Sequence, residues 1–386
     1  MLIEIHVIQN HGPSNLNRDD LGAPKTCLFG GAMRARISSQ CLKRSIRRSP
    51  EFAAALEKDG GVRTRRLIEE IAKAAASGQE GSEDHCNAIR KAFEDGGVGM
   101  KDENTFDILF FLPRSAIIEM GEAVRHERSQ DLGAKFAEII GKFVRTPDIA
   151  LCGRMTEFDA KGPFESLKGR FTVEAALSAA HAISTHAIVN EVDYFTAADD
   201  VPGSDAGAGH VNEAMFNSAC FYKHFVIDWD QLVVNLADDK ALAETTVKCF
   251  LKAAAKANPS GKQHAFAAFN PPDGILVEIK TGSCTPMSYA NAFADPVPEK
   301  TQRGLVGESI ARLGNYAHDL IEGYGVAAER FWFSPGLRHR LSWIDKSREE
   351  HEQERSVVGS SNEFGKFEEY VTAIMARVNP TQNAEG

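Results

Sequence analysis

The residues with the most distinctive chemistry are six cations. Arg34, Arg36, Lys43, Arg44, Arg47 and Arg48 lie within "MRARISSQCLKRSIRRSP", Met33 to Pro50, with no acid among them. The 386-residue chain around them is acidic, with a formal net charge of -10. If "RARIS" is extended, Arg34, Arg36 and Ser38 share one face and Ala35 and Ile37 the other. Ser38 or Ser39 then caps a helix that Pro50 closes. At about 100° per residue, Gln40, Lys43, Arg44, Arg47 and Arg48 cover an arc of about 140°, with Leu42 and Ile46 near the opposite side. A helix N-terminus favours acids in its first turn. Here that turn has none, and Lys43 and Arg44 stand close by. A phosphate resolves the conflict by drawing on free N–H groups, the serine hydroxyls, Gln40 and Lys43. A basic run also serves as a solvated helix face, but such faces usually intersperse acids. Upstream, Arg18 and Lys25 add cations that Asp19 and Asp20 dilute.

The other candidates carry less. Asp19 and Asp20 are adjacent carboxylates that could ligate Mg²⁺ or pair with Arg18. His181 and His186 are five apart, about 140° around a helix, so they do not make the one-face pair of an HExxH zinc enzyme. Cys27, Cys41, Cys86, Cys152, Cys220, Cys249 and Cys284 are odd in number and contain no CxxC pair. A complete disulfide framework and a paired-cysteine zinc site are therefore not expected. Reduced, mostly buried thiols are. Apart from the open case of Asp19 and Asp20, no metal, cofactor or catalytic group is expected.

Elements must position the basic segment. "MLIEIHVIQN" reads as a first strand from Leu2 to Ile8, not a signal peptide, with Ile3, Ile5 and Val7 on one face and Glu4 and His6 on the other. A Gly-, Asn- and Pro-rich loop, "NHGPSNLNRDDLGAPKTCLFGG", follows. Residues 51–145 read as a largely helical insertion containing one buried strand, "FDILFFLP". "FTVEAALSAAHAISTHAI" is apolar all round and reads as a buried helix. "VNEVDYFTA" and "MFNSACFYKHFVID" read as two strands of a long hairpin at about 190–224, with "ADDVPGSDAGAGHVNE" between them. Ala237–Asn258 is a helix stopped by Pro259, "GILVEIK" a strand, and "FEEYVTAIMARV" helical. No apolar run reaches the ~18 residues of a membrane span, so a cytoplasmic protein without a membrane partner is expected. Strands interleaved with helices imply an α+β fold with appendages.

The ordered blocks "HVIQNHGPSNLNRDD", "FGGAMRARISSQCLKRSIRRS", "DIALCGRM", "AHAISTHAIVNEVDYFTAADD", "FYKH" and "GKQHAFAAFNPPD" resemble the CasC-type backbone subunits of type I-E CRISPR Cascade. The resemblance runs from residue 5 to about 300. It implies a ferredoxin-like (RRM-like) palm from residues 1–50 and 146–386, a helical fingers insertion at 51–145 and a β-hairpin thumb at about 190–224. It implies a non-enzymatic subunit that stacks in several copies along a guide RNA (crRNA), flips out bases at regular intervals and presents the rest to target DNA beside other Cascade subunits. By position, Arg18, Lys25, Arg36, Ser38, Gln40, Lys43 and Arg47 would contact RNA. Met155 would wedge near a displaced base, with Phe195, Thr196 and Val211 on the thumb and Lys262 and Gln263 lining the groove. The enzyme alternative is a metal-dependent RNA endonuclease like type III backbone subunits, using Asp19 and Asp20.

Overall fold

The structure is a computed structural model and describes residues 1–55, 61–79, 81–142, 146–156, 158–169, 171–196, 211–282, 285–298, 300–345 and 353–378. The fold is α+β. The chain divides into two compact units: Met1–Ser49, Ala179–Val226 and Phe250–Gly386 form the first, and Pro50–Ser178 and Ile227–Cys249 the second. The insertion expected at 51–145 falls inside the second unit, which also takes in 146–178 and 227–249.

The first unit is built on a mixed sheet. Its central strand is β1, Leu2–Ser14, flanked by Gly274–Lys280 and by the long strand Val211–Asp228. Beyond the long strand come Ala182–Ser184, β3 (Ala32–Ile37) and β2 (Thr26–Phe29), which forms one edge. Beyond Gly274–Lys280 come Glu329–Phe333 and Glu363–Phe364. Those last two strands pair parallel, whereas β1 runs antiparallel to Gly274–Lys280 with Leu2 opposite Lys280 and Ile8 opposite Gly274. Ile8, Tyr222, Leu276 and Trp332 pack with Ile310, Leu313 and Ala317 of the helix Gly304–Tyr324. No helix among the described residues is long and apolar enough to cross a membrane.

β1 runs six residues past the expected end at Ile8, because Asn10 to Ser14 find strand partners despite their turn-forming composition. Its polar face is also buried: Glu4 and His6 are fully covered. The cover is a charge-balanced network. Glu4 Oε1 lies 2.6 Å from Lys280 Nζ, Arg330 Nε donates to Glu278 Oε1 at 2.6 Å, and the Tyr289 hydroxyl donates to Glu278 Oε2 at 2.7 Å. Burial alone would raise the Glu278 carboxyl, but His6, Arg330 and Tyr289 hold it down at about 2.

The segment expected as a buried helix at "FTVEAALSAAHAISTHAI" is not one. Leu177–Ala179 and Ala182–Ser184 are short strands. Ala182 and Ile183 pair with Ile37 and Arg36 of β3, and Ile183 and Ser184 with Tyr222 and Phe221 of the long strand. Apolar residues on every side signal burial, and a central strand is buried as fully as a core helix. The thiols also depart from expectation: among the described cysteines only Cys220 is buried, and the other five are half-buried.

The second unit has its own core. Phe93 contacts Phe106, Phe110, Phe136 and Phe164 at ring separations of 4.9–5.5 Å. "FDILFFLP" contributes the strand Phe110–Pro113, which pairs with Gly61–Thr64.

Candidate nucleic-acid interface

The basic segment folds as a strand that hands over to a capped helix. β3 ends at Ile37, and α1 spans Ser39–Arg47. Ser38 has extended backbone, and its Oγ accepts the Cys41 amide at 3.2 Å, satisfying one of the first-turn donors. Leu42 and Ile46 are buried at 3% and 5% exposure, which seats the helix by its apolar side. Lys43 and Arg47, one turn apart, are half-buried, and Gln40, Arg44 and Arg48 are exposed.

The loop after β1 is stapled to this junction. Asn17 Oδ1 accepts the Ser38 amide at 2.8 Å. The Lys25 amide donates to the Asn17 carbonyl and the Arg36 amide to the Lys25 carbonyl, both at 2.8 Å. These bonds set Lys25 beside Arg36, and the two share a small cleft with Asn17, Asn217 and Phe221. Asn15 Nδ2 donates to the carbonyls of Gly22 and Met215 at 2.9 Å each, tying the loop to the long strand. Arg18 is exposed at the loop's outer side. Asp19 Oδ1 accepts the amides of Leu21 and Ala23 at 2.9 Å each, so this carboxylate closes a turn. A hydrogen bond from each of two amides leaves that oxygen a poorer metal ligand than the bare "NRDD" spelling suggests.

Three expectations need correction. Arg34 does not face outward with Arg36. It is fully buried, because the turn Ala290–Phe293 covers its part of the strand face. Gln263 does not line a groove. It is 8% exposed, and its amide donates to the carbonyls of Pro259 and Ala268, closing its own turn. The start of α1 is also less open than its charge pattern implied. The Ser39 amide donates to His181 Nδ1 at 3.3 Å, and Arg36 Nη1 lies 3.3 Å from the same nitrogen. His181 matters here only through the sheet that brings it to α1; the sequence offered no signal beyond a histidine in an Ala-rich stretch.

Lys262 stays half-buried on the loop, with a left-handed backbone at φ 43°. Neighbouring Gly261 is needed for close approach, since a Cβ there would overlap the carbonyl oxygens of Leu16 and Asn15. This sets the "GKQ" loop against the loop that carries Arg18 and Lys25.

The expected hairpin arm pairs Glu191–Thr196 with the long strand, Glu191 opposite Phe216 and Thr196 opposite Val211. Val192, Tyr194 and Phe195 are 40%, 68% and 49% exposed, and strand alternation puts Val192 and Tyr194 on one face of the ribbon and Phe195 on the other. Thr196 and Val211 form the last described rung; their side chains and residues 197–210 lie outside the described residues. Met155 belongs to the second unit, where it is 87% exposed. Its neighbour Arg154 is buried, donating to the carbonyls of Phe171 and Phe111.

The geometry defines a class: an α+β sheet protein with a cationic strand-to-helix junction and an apolar hairpin arm. Residues 3–360 match the CT1975-like protein family, and the chain belongs to it. Among solved structures, a chain of "CRISPR RNA-guided surveillance complex, pre-nicking" is 29% identical with a TM-score of 0.81, over 98% of this chain and 100% of that one. A chain of "CRISPR RNA-guided surveillance complex" is similar in fold, with a TM-score of 0.70 at 23% identity over 98% and 100%. No curated protein matches the chain.

Proposed function

We propose that this chain is a crRNA-binding backbone subunit of a Cascade-type surveillance complex, of the CasC type I-E kind, and that several copies assemble along one guide RNA in the cytoplasm. The observation that carries this reading is the likeness over the full length to a chain of an RNA-guided complex at 29% identity. In this reading the first unit is a ferredoxin-like palm, the helical insertion forms the fingers, and the arm is the thumb. The chain performs no chemistry; it holds RNA for pairing with target DNA beside other subunits.

The site chemistry supports the reading. A guide subunit must accept any guide sequence, so it should grip backbone rather than base edges. Arg18, Lys25, Arg36, Ser38, Gln40, Lys43, Arg47 and Lys262 supply cations and short polar donors suited to phosphates. Phe195 offers aromatic cover to an unstacked base on its face of the ribbon, and Tyr194 is presented on the opposite face. The endonuclease alternative gains nothing from the turn that engages Asp19.

The test is expression with a guide RNA, followed by sizing of the particle and its RNA. Bound RNA of one discrete length is expected. The K43E/R47E double variant should lose that RNA while circular dichroism still shows a folded chain, because the apolar back of α1 is untouched. Normal RNA retention by the double variant would overturn the assignment.

A further inference from the structure

Arg34 is the one cation of the basic segment that the fold turns completely inward. Its acceptors are backbone carbonyls on three separate stretches. Nε donates to Phe29 at 3.3 Å, Nη1 to Ser184 at 3.0 Å, and Nη2 to Phe293 at 2.7 Å and Ala294 at 3.1 Å. The guanidinium also lies 5.6 Å from the centre of the Phe29 ring. A planar fork with five donors can span carbonyls in this way; an ammonium on a single stem cannot.

A second observation lies at the same place. Gly30, in the turn between β2 and β3, has φ +57°, and a Cβ added there would overlap the carbonyl oxygen of Ala294. The hairpin turn and the Ala290–Phe293 turn are therefore in backbone contact, with Arg34 bridging them. That hairpin carries Arg36, whose amide is paired to the Lys25 carbonyl, and it runs directly into the Ser38 cap.

We propose that Arg34 is a positioning residue and does not itself touch RNA: it ties the β2–β3 hairpin to the Ala290–Phe293 turn and to Ser184, and so sets the line along which Lys25, Arg36 and the start of α1 meet phosphates. The proposal rests on the RNA-binding reading. It divides the basic segment into one inward tie and an outward set of ligands.

The experiment compares R34K, R34Q, G30A, R36A and K43E/R47E in the full chain. Affinity for a guide-length RNA is measured across a salt series at a temperature where circular dichroism shows each variant folded. Amide exchange is read in 28–33 and 290–294. R34K and G30A, the latter without any change of charge, should both weaken RNA binding several-fold, leave the slope of log K against log salt unchanged, and speed exchange in both segments. R36A should lower the slope by about 0.7 for each single-strand phosphate that the variant no longer neutralises. Wild-type affinity in R34K, or an R34Q slope that falls as in R36A, would make Arg34 a phosphate ligand and overturn the proposal. Unchanged binding and exchange in both R34K and G30A would overturn it too. If K43E/R47E binds normally the RNA reading itself fails, and Arg34 is then not a positioning residue for RNA, whatever amide exchange shows of the tie.

Discussion

Ser38 shows how much one hydroxyl decides. It ends β3, starts α1, and links the helix to the upstream loop through the bond from its own amide to Asn17. Replacing it with Ala removes the cap and should cost about 1 kcal/mol. The urea midpoint should fall accordingly, while S38T should recover most of the loss; an unchanged midpoint for S38A would show that the cap is not holding the helix. The residue scale is also where sequence reasoning fails most visibly. Alternation along "RARIS" places Arg34 and Arg36 on one face, and that much is true of the strand. Their fates differ because the turn near residue 293, some 260 positions away, covers one and not the other. Gln263 is the same case: its spelling beside Lys262 suggests a second donor for a groove, but local carbonyls of Pro259 and Ala268 claim its amide.

At the scale of elements, α1 is legible in the sequence. Its cap, its buried pair Leu42 and Ile46, and its basic arc follow from a period of 3.6 residues and from one serine. The hairpin arm is legible for a similar reason, since two β-rich stretches flank a Gly- and Ala-rich connection. Its exposed Phe195 makes a prediction suited to this scale. On the proposed reading, Phe195→Asp should leave RNA retention and the salt slope near those of the parent, because the residues assigned to phosphates lie elsewhere. Chemical probing of bound guide RNA should lose its regular pattern of displaced bases; an unchanged pattern would remove Phe195 from the thumb role. The stretch around Leu177–Ser184 misleads because its alanines are the best helix formers, a local preference that pairing in the sheet overrides. Its amides are claimed by two neighbouring strands, and no local signal announces that competition.

For the whole molecule, the buried network across β1 and its neighbour ties stability to pH. Glu278 has a folded pKa near 2, below its ordinary 4.5. Its contribution is fully present above about pH 4.5 and is lost as pH falls toward 2, since the unfolded chain takes up the proton first. Urea midpoints should therefore drop steeply on that acid limb. Glu278→Gln should be less stable at neutral pH, because Arg330 and Lys280 are left in the interior with one carboxylate fewer, and its acid limb should be shallower. Equal steepness in parent and variant would assign the acid limb to other groups.

The sequence by itself determined the secondary periodicities, the apolar seat and charged arc of α1, and the acid-free composition of the segment, because these depend on spacing within a dozen residues. Only the tertiary structure decided which cations face solvent and which become internal ties. That outcome depends on which distant turn or strand covers a given side chain: burial commits the Arg34 guanidinium to backbone carbonyls, whereas exposure leaves Arg44 and Arg48 to solvent.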